Sequence, residues 1–195
     1  MKRGVSDDGR MSIKTLASRI VYQNRWMTVR EDAIERADGS PGIYAVVEKP
    51  QAALIIPIED AHLYLIEQFR YPVGRRFLEF PAGAWEMNPQ ADPLDLARGE
   101  LVEETGLCAG KMEYLGHLFY AYGITNQGFH IFRATELSQG EHRREHEEQD
   151  LLVKRIAIEE FESLIRSGVI QDSSTIAAWA LSKSKAALAD PATSL

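Results

Sequence analysis

Glu100, Glu103 and Glu104 crowd three carboxylates into the run ELVEE, followed by Thr105, Gly106 and Leu107. On a helix, residues three and four apart share a face, so these side chains fall within one arc and their carboxylates converge. Like charges at that spacing repel by roughly a few tenths of a kcal/mol per pair unless a counter-charge neutralises them. A hard divalent cation would do so. Mg²⁺ prefers oxygen ligands and commonly binds through one or two protein carboxylates together with substrate phosphates. The bland alternative for Glu-x-x-Glu-Glu is a solvated acidic face.

The element that must aim these carboxylates is a helix over Pro93–Thr105. Asp92 is suited to its N-cap, Pro93 to its first position and Asp95 to its first turn, and Gly106 suits the left-handed residue that ends it. Leu94, Ala97 and Leu101 form a separate apolar stripe expected to face a sheet. Gly99 interrupts this helix at a cost of about 1 kcal/mol relative to Ala, which implies a close approach or a packing need.

Composition narrows the rest. The 195 residues, 45% hydrophobic and 26% charged, fit one globular domain with a small appendage. The net charge of -7 argues against general nucleic-acid binding, so a phosphate-bearing substrate must be met by local positive charge or by metal. No apolar run approaches the roughly 20 residues of a membrane span. The start of the chain, MKRGVSDDGRMSIKT, lacks the apolar centre of a signal peptide, so a cytoplasmic location is expected. Cys108 is the single cysteine and reads as a small buried apolar side chain. His142 and His146 have ligand-like spacing, but their charge-rich loop has no helical period, which speaks against zinc.

Residues 1–16 read as a mobile tail, 17–49 as an antiparallel β-meander turning at DGSPG, 50–187 as the main domain and 188–195 as a second tail. QAALIIPIED, HLYLIEQFR, MEYLGHLFYAY, GFHIFRAT and LLVKRIAI read as strands, and IEEFESLIRSG and DSSTIAAWALSKSKAALA as closing helices. Strands and helices mixed without regular alternation indicate α/β or α+β, with a mixed sheet between helices.

The order LEFPAG, a loop, then DLARGELVEETGL resembles the signature of the Nudix hydrolase family. Glu100, Leu101, Glu103, Glu104, Gly106 and Leu107 satisfy the helical half of that signature, and Gly83 supplies its opening glycine. The loop is two residues longer than the pattern, Ala91 stands where its first glutamate falls, and Gly99 replaces its arginine. In the family those two residues brace the loop against the helix. Their joint loss implies a rebuilt loop with no orphaned charge from the pair.

With EQFRYPVG before the box and IRSGVIQDSSTIAAWAL after it, residues 18–187 are similar to the ADP-ribose and nucleoside-diphosphate-sugar pyrophosphatases. The resemblance implies an α/β/α sandwich with a mixed central sheet, and an N-terminal meander that joins two subunits into a homodimer. It implies Mg²⁺-dependent hydrolysis of a nucleoside diphosphate sugar, with Mn²⁺ as a substitute metal. The metal ligands implied are Glu100, Glu103, Glu104 and the backbone carbonyl of Ala82. The base that activates water would be Glu147, or its neighbour Glu148, with Glu103 also close to the chemistry. Arg70 resembles the arginine that grips the diphosphate with its guanidinium fork. Arg75 and Arg76 could reach the same anion, but strand alternation sends them in opposite directions. Glu79 is the acid placed before Pro-Ala-Gly, supporting ligand or loop. Thr125, Asn126 and Gln127 occupy a loop that faces the sugar, and Tyr22 and Trp26 either stack on a base or, the plainer reading, belong to the core. Trp85 lies in the enlarged loop, where ligand contact is expected because loops lie at the surface. GDP-mannose or another nucleoside-diphosphate sugar, and a non-catalytic nucleotide-binding regulator, stay open as alternatives.

Overall fold

The computed structural model describes residues 13–140 and 150–189. They form two compact units, one comprising the chain to Pro50 together with Ala121–Gln127, the other Gln51–Tyr120 and the chain from Gly128 onward.

In the first unit, β1 (Lys14–Gln23), β2 (Thr28–Glu35) and β3 (Pro41–Glu48) make an antiparallel sheet in chain order. Asn24 closes the first turn, its Oδ1 accepting from the amides of Trp26 and Met27 at 2.9 Å. The second turn is the DGSPG segment, with Gly39 at φ +82° where a side chain would be strained. β1 begins inside the segment read as a tail and is exposed along its whole length. Tyr22, near the end of β1, and Trp26, in the turn that follows, are 54% and 43% exposed, so the core role expected for them is overturned: among the described residues of this unit no second layer covers them. The loop Ala121–Gln127 is tied to β3 by the Val47 amide, which donates to the Ile124 carbonyl at 2.8 Å.

The second unit contains β4 (Ala52–Glu59), β5 (His62–Arg70), β6 (Arg75–Glu79), β7 (Ala82–Gly83), α1 (Pro93–Thr105), β8 (Leu107–Phe119), β9 (Gly128–Gln139), β10 (Leu152–Ala157), α2 (Ile158–Arg166) and α3 (Ser173–Ala189). The sheet runs β10-β5-β4-β9-β8, with β6 beside β5 and β7 beside β4. Only the β4–β9 pair is parallel, which makes the sheet mixed. β4 is apolar on both faces and buried on both, as a central strand must be. Ala52, Leu54 and Ile56 pack with Phe80, Phe161, Ile170 and Trp179, while Ala53 and Ile55 pack with Leu96, Ala97 and Leu101. Helices α2 and α3 thus supply one core and α1 the other, giving the α/β/α sandwich. β6 showed in the sequence only through the alternation of Arg75 and Arg76, because RRFLE opens on two charged residues. Among the described residues no helix is long and apolar enough to cross a membrane.

Both ends of α1 fall where capping chemistry puts them. Asp92 accepts from the Leu94 amide at 2.8 Å, and Gly106 adopts φ 69°. Its buried face differs from the expected stripe. Leu94 is exposed, and Leu96, Ala97, Glu100, Leu101, Glu104 and Thr105 are buried. Leu94 sits in the first turn, beyond the sheet's cover, whereas two of the glutamates share the face that the sheet covers. Cys108 is exposed, against expectation, because β8 starts directly after Gly106 and alternation turns Leu107 and Ala109 inward.

Candidate active site

The Pro-Ala-Gly turn brings a short strand over the acidic helix. β7 pairs with β4, Ala82 opposite Leu54 and Gly83 opposite Ala53, so it lies on the same central strand against which α1 packs. Glu100 and Glu104 are only 4% and 2% exposed. A carboxylate taken this far from water needs compensating donors. Glu104 has one in the Ala82 amide, which donates to its Oε2 at 2.8 Å. Glu100 lies where a side chain at position 83 would be: a methyl group on Gly83 would collide with its carboxylate. The opening glycine is therefore required by a close approach. Glu103 is half-buried on the same helix.

Gly99 has a parallel reason. A methyl group there would overlap Cζ2 of Trp85, with Cη2 3.1 Å and Cε2 3.3 Å away. The sequence placed Trp85 at a ligand; its half-buried indole rests on the helix and joins the core that includes Leu96 and Leu101.

Ala82 also lies in the wall of a cavity of about 330 Å³, with Arg70, Glu79, Tyr120, Asp172 and Ser174. Arg70 ends β5 and Glu79 ends β6; the register sets Arg70 opposite Arg75 and Glu79 opposite Ile66, so the two meet through the long Arg70 side chain and not as a cross-strand pair. Arg70 Nε donates to both carboxylate oxygens of Glu79, at 2.9 and 3.1 Å, and Nη2 donates to Oε2. Burial disfavours the Arg70 charge, but the hydrogen bond and charge of Glu79, with the charges of Glu104 and Asp172, outweigh it and raise the pKa. The Tyr120 phenol is pushed up by desolvation and by the negative charge of Asp172. Arg75 and Arg76 do diverge. Arg76 binds Glu67 and Asp150, whereas Arg75 donates to Gln171 at the cavity wall.

Sequence reasoning missed Tyr120 and the start of α3. There Asp172 accepts from the Thr175 amide at 2.7 Å and Thr175 Oγ1 accepts from the Phe80 amide at 2.9 Å, fixing the backbone just before Pro81-Ala82. The Asp-Ser-Ser-Thr run was available as a capping signal; its proximity to the Pro-Ala-Gly turn was not.

Among the described residues no three His, Cys, Asp or Glu side chains come close enough together to form a metal centre by themselves. The donors on offer are oxygens: the buried carboxylates of Glu100 and Glu104, both drawn against Ala82–Gly83, whose main chain adds the carbonyl of Ala82. Such a set suits a hard cation that takes one or two protein carboxylates and completes its shell with water and phosphate. The residues fit the group.

Of the other expected site residues, Gln127 and Trp26 belong to the first unit. The Gln127 amide donates to Thr125 Oγ1 at 3.1 Å, and Asn126 Oδ1 accepts from the Lys49 amide at 3.1 Å, so the loop's polar groups hold its own shape. Trp26 carries the Arg25 guanidinium 4.2 Å from its ring. Glu147, Glu148, His142 and His146 lie outside the described residues.

Residues 13–47 match the nucleoside diphosphate sugar hydrolase N-terminal domain, and residues 48–178 match the NUDIX domain. The ADP-ribose pyrophosphatase of Bacillus subtilis (strain 168) is 28% identical over 164 residues, covering 83% of this chain and 88% of that protein. The ADP-ribose pyrophosphatase of Mycobacterium tuberculosis is 30% identical over 166 residues, covering 84% and 80%. A methanol dehydrogenase activator of Bacillus methanolicus is 28% identical over 167 residues, covering 85% and 89%. A crystal structure of an ADP compounds hydrolase superposes with a TM-score of 0.78 over 90% of this chain and 93% of that one, at 24% identity, a likeness of fold.

Proposed function

The chain belongs to the Nudix hydrolase family, and on that premise we propose that it hydrolyses the diphosphate bond of ADP-ribose or a closely related nucleoside-diphosphate sugar. The products are a nucleoside monophosphate and a sugar phosphate. One observation carries the reading: two buried glutamates of α1 are drawn against Ala82–Gly83, and Ala82 is also in the wall of a cavity lined by Arg70.

A bound divalent cation, Mg²⁺ or in its place Mn²⁺, supplies charge neutralisation for the diphosphate and acidifies a water molecule. Glu100, Glu104, Glu103 and the Ala82 carbonyl are the residues that would hold it. Arg70 offers a planar, permanently charged fork to the diphosphate oxygens. Glu79 aims that fork and keeps it protonated despite its partial burial. Phe77 and Phe80 give the cavity apolar walls, and a charge interaction beside an apolar wall is stronger than one in open water. The proton of the attacking water goes to Glu147 or Glu148.

The test is a substrate panel of ADP-ribose, GDP-mannose, UDP-glucose, NADH and a diadenosine polyphosphate with Mg²⁺, scored as relative kcat/KM. The proposal expects the largest value with ADP-ribose. A preference for GDP-mannose would keep the chemistry and change the substrate, whereas binding of ADP-ribose without turnover under Mg²⁺ or Mn²⁺ would make the chain a nucleotide-binding regulator. A homodimer in the cytoplasm completes the proposal, and light scattering of the purified protein checks the first part.

A further inference from the structure

Gly99 leaves the helix without a side chain at the one place where the indole of Trp85 comes down on it. From there the loop runs back to the helix by its own backbone bonds. The Trp85 carbonyl accepts from the Asn88 amide at 3.1 Å, and the Asn88 carbonyl accepts from the Ala91 amide at 3.0 Å. Asp92 then caps α1. Loop and helix are closed into a ring with one side-chain anchor in its middle, Trp85 on Gly99. The anchor borders Glu100 on both sides in sequence and space, since Gly99 precedes it in the helix and Gly83, two positions before Trp85, lies against its carboxylate.

We propose that Trp85 is a positioning residue: its indole, seated on Gly99, holds the loop of residues 84–92 against α1 and so fixes the Glu100 carboxylate beneath Gly83. This rests on the reading of Glu100 and Glu104 as cation ligands. The indole takes over the task of an ion pair that Ala91 and Gly99 cannot make. An aromatic ring suits it, because a large rigid surface is immobilised through only two torsions. The pairing also explains why a poor helix former is kept there: any side chain at 99 would evict the ring.

The experiment measures Mn²⁺ affinity by the loss of the free-ion EPR signal, and hydrogen exchange of residues 84–92, in the full chain and in Trp85→Ala, Trp85→Phe and Gly99→Ala. Trp85→Ala is expected to weaken Mn²⁺ binding by about tenfold, as loss of a ligand-orienting group does, and to speed exchange in the loop. Gly99→Ala improves helix propensity and is nonetheless expected to match Trp85→Ala, while Trp85→Phe retains most of the affinity. Should Trp85→Ala fail to fold, the contrast between Gly99→Ala and Trp85→Phe decides. Variants that bind Mn²⁺ as tightly as the parent, or that change only the KM for substrate at saturating metal, overturn the positioning role. A parent protein that binds no Mn²⁺ overturns the ligand reading and this proposal with it, whereas a metal-binding parent with unaffected variants overturns this proposal alone.

Discussion

The backbone amide of Ala82 donates to Oε2 of Glu104 at 2.8 Å, joining the Pro-Ala-Gly turn to the fourth turn of a helix that the chain reaches only after a long loop. This bond makes the two halves of the sequence motif one object. It commits one acceptor position of Glu104 Oε2 to the main chain.

That commitment shapes the first expected outcome. Glu104→Gln keeps an oxygen that can accept from Ala82 and removes the charge, so the fold is retained while metal-dependent turnover falls by about a hundredfold or more. Circular dichroism and kcat with Mg²⁺ measure the two arms. Full activity in this variant would remove Glu104 from the ligand set.

Gly83→Ala tests the close approach from the other direction. The added methyl group meets the buried Glu100 carboxylate, which must shift to admit it. Overpacking of this kind costs about 1–3 kcal/mol, readable as a lower urea midpoint with an unchanged slope. Unaltered stability together with unaltered activity would contradict the packing described.

Arg70→Lys keeps the charge and discards the fork. The Arg70 side chain is 44% exposed and that of Glu79 only 7%; Lys keeps a positive charge beside the buried carboxylate, so stability is expected to change by about 1 kcal/mol or less. Its effect falls on substrate: kcat/KM is expected to drop roughly tenfold or more, the worth of one charge-assisted bond to the diphosphate. A large loss of stability with normal kinetics would reassign Arg70 to structure.

His130 supplies a pH signature away from the cavity. Its ring stands 4.7 Å from that of His117, and its Nδ1 is 3.4 Å from the Tyr114 hydroxyl. Desolvation first, and then His117, lower its pKa, with the more remote Asp92 opposing. A histidine with a lowered folded-state pKa binds fewer protons folded than unfolded, so stability rises with pH up to the ordinary value near 6.5 and falls as acid titrates the ring. His130→Asn is expected to flatten that part of the stability curve. Urea titrations between the lowered pKa and neutrality measure it, and an unchanged curve would refute the assignment.

How much of this was legible in the sequence depended on how local the chemistry is. Asp92, Pro93 and Gly106 mark both ends of α1 because capping involves only near neighbours. The mixed sheet followed from the run of apolar and alternating segments. The burial of Glu100 and Glu104 did not, since amphipathic patterning sends carboxylates to water and only the arrival of β7 reverses that. Gly99 announced itself as an anomaly, but its partner, Trp85, is fixed by tertiary contact. Tyr22 and Trp26 misled because aromatic residues in a meander ordinarily have a layer to cover them. Cys108 misled because small apolar character says nothing about which face of β8 it takes.

β4 hydrogen-bonds to β9 along one edge and to β7 and β5 along the other, and its residues from Ala52 to Pro57 are buried. β7 carries Ala82 and Gly83, and β5 carries Arg70, so both rows of site residues hang from one strand. Such a strand cannot be exposed by fraying an end or lifting a loop; its amides become accessible only when the whole unit opens. Protons on Leu54 and Ile55 should therefore be among the last to exchange for deuterium, at the rate of global unfolding. The catalytic geometry then persists until the unit as a whole comes apart, and heat inactivation should coincide with the melting of the sheet.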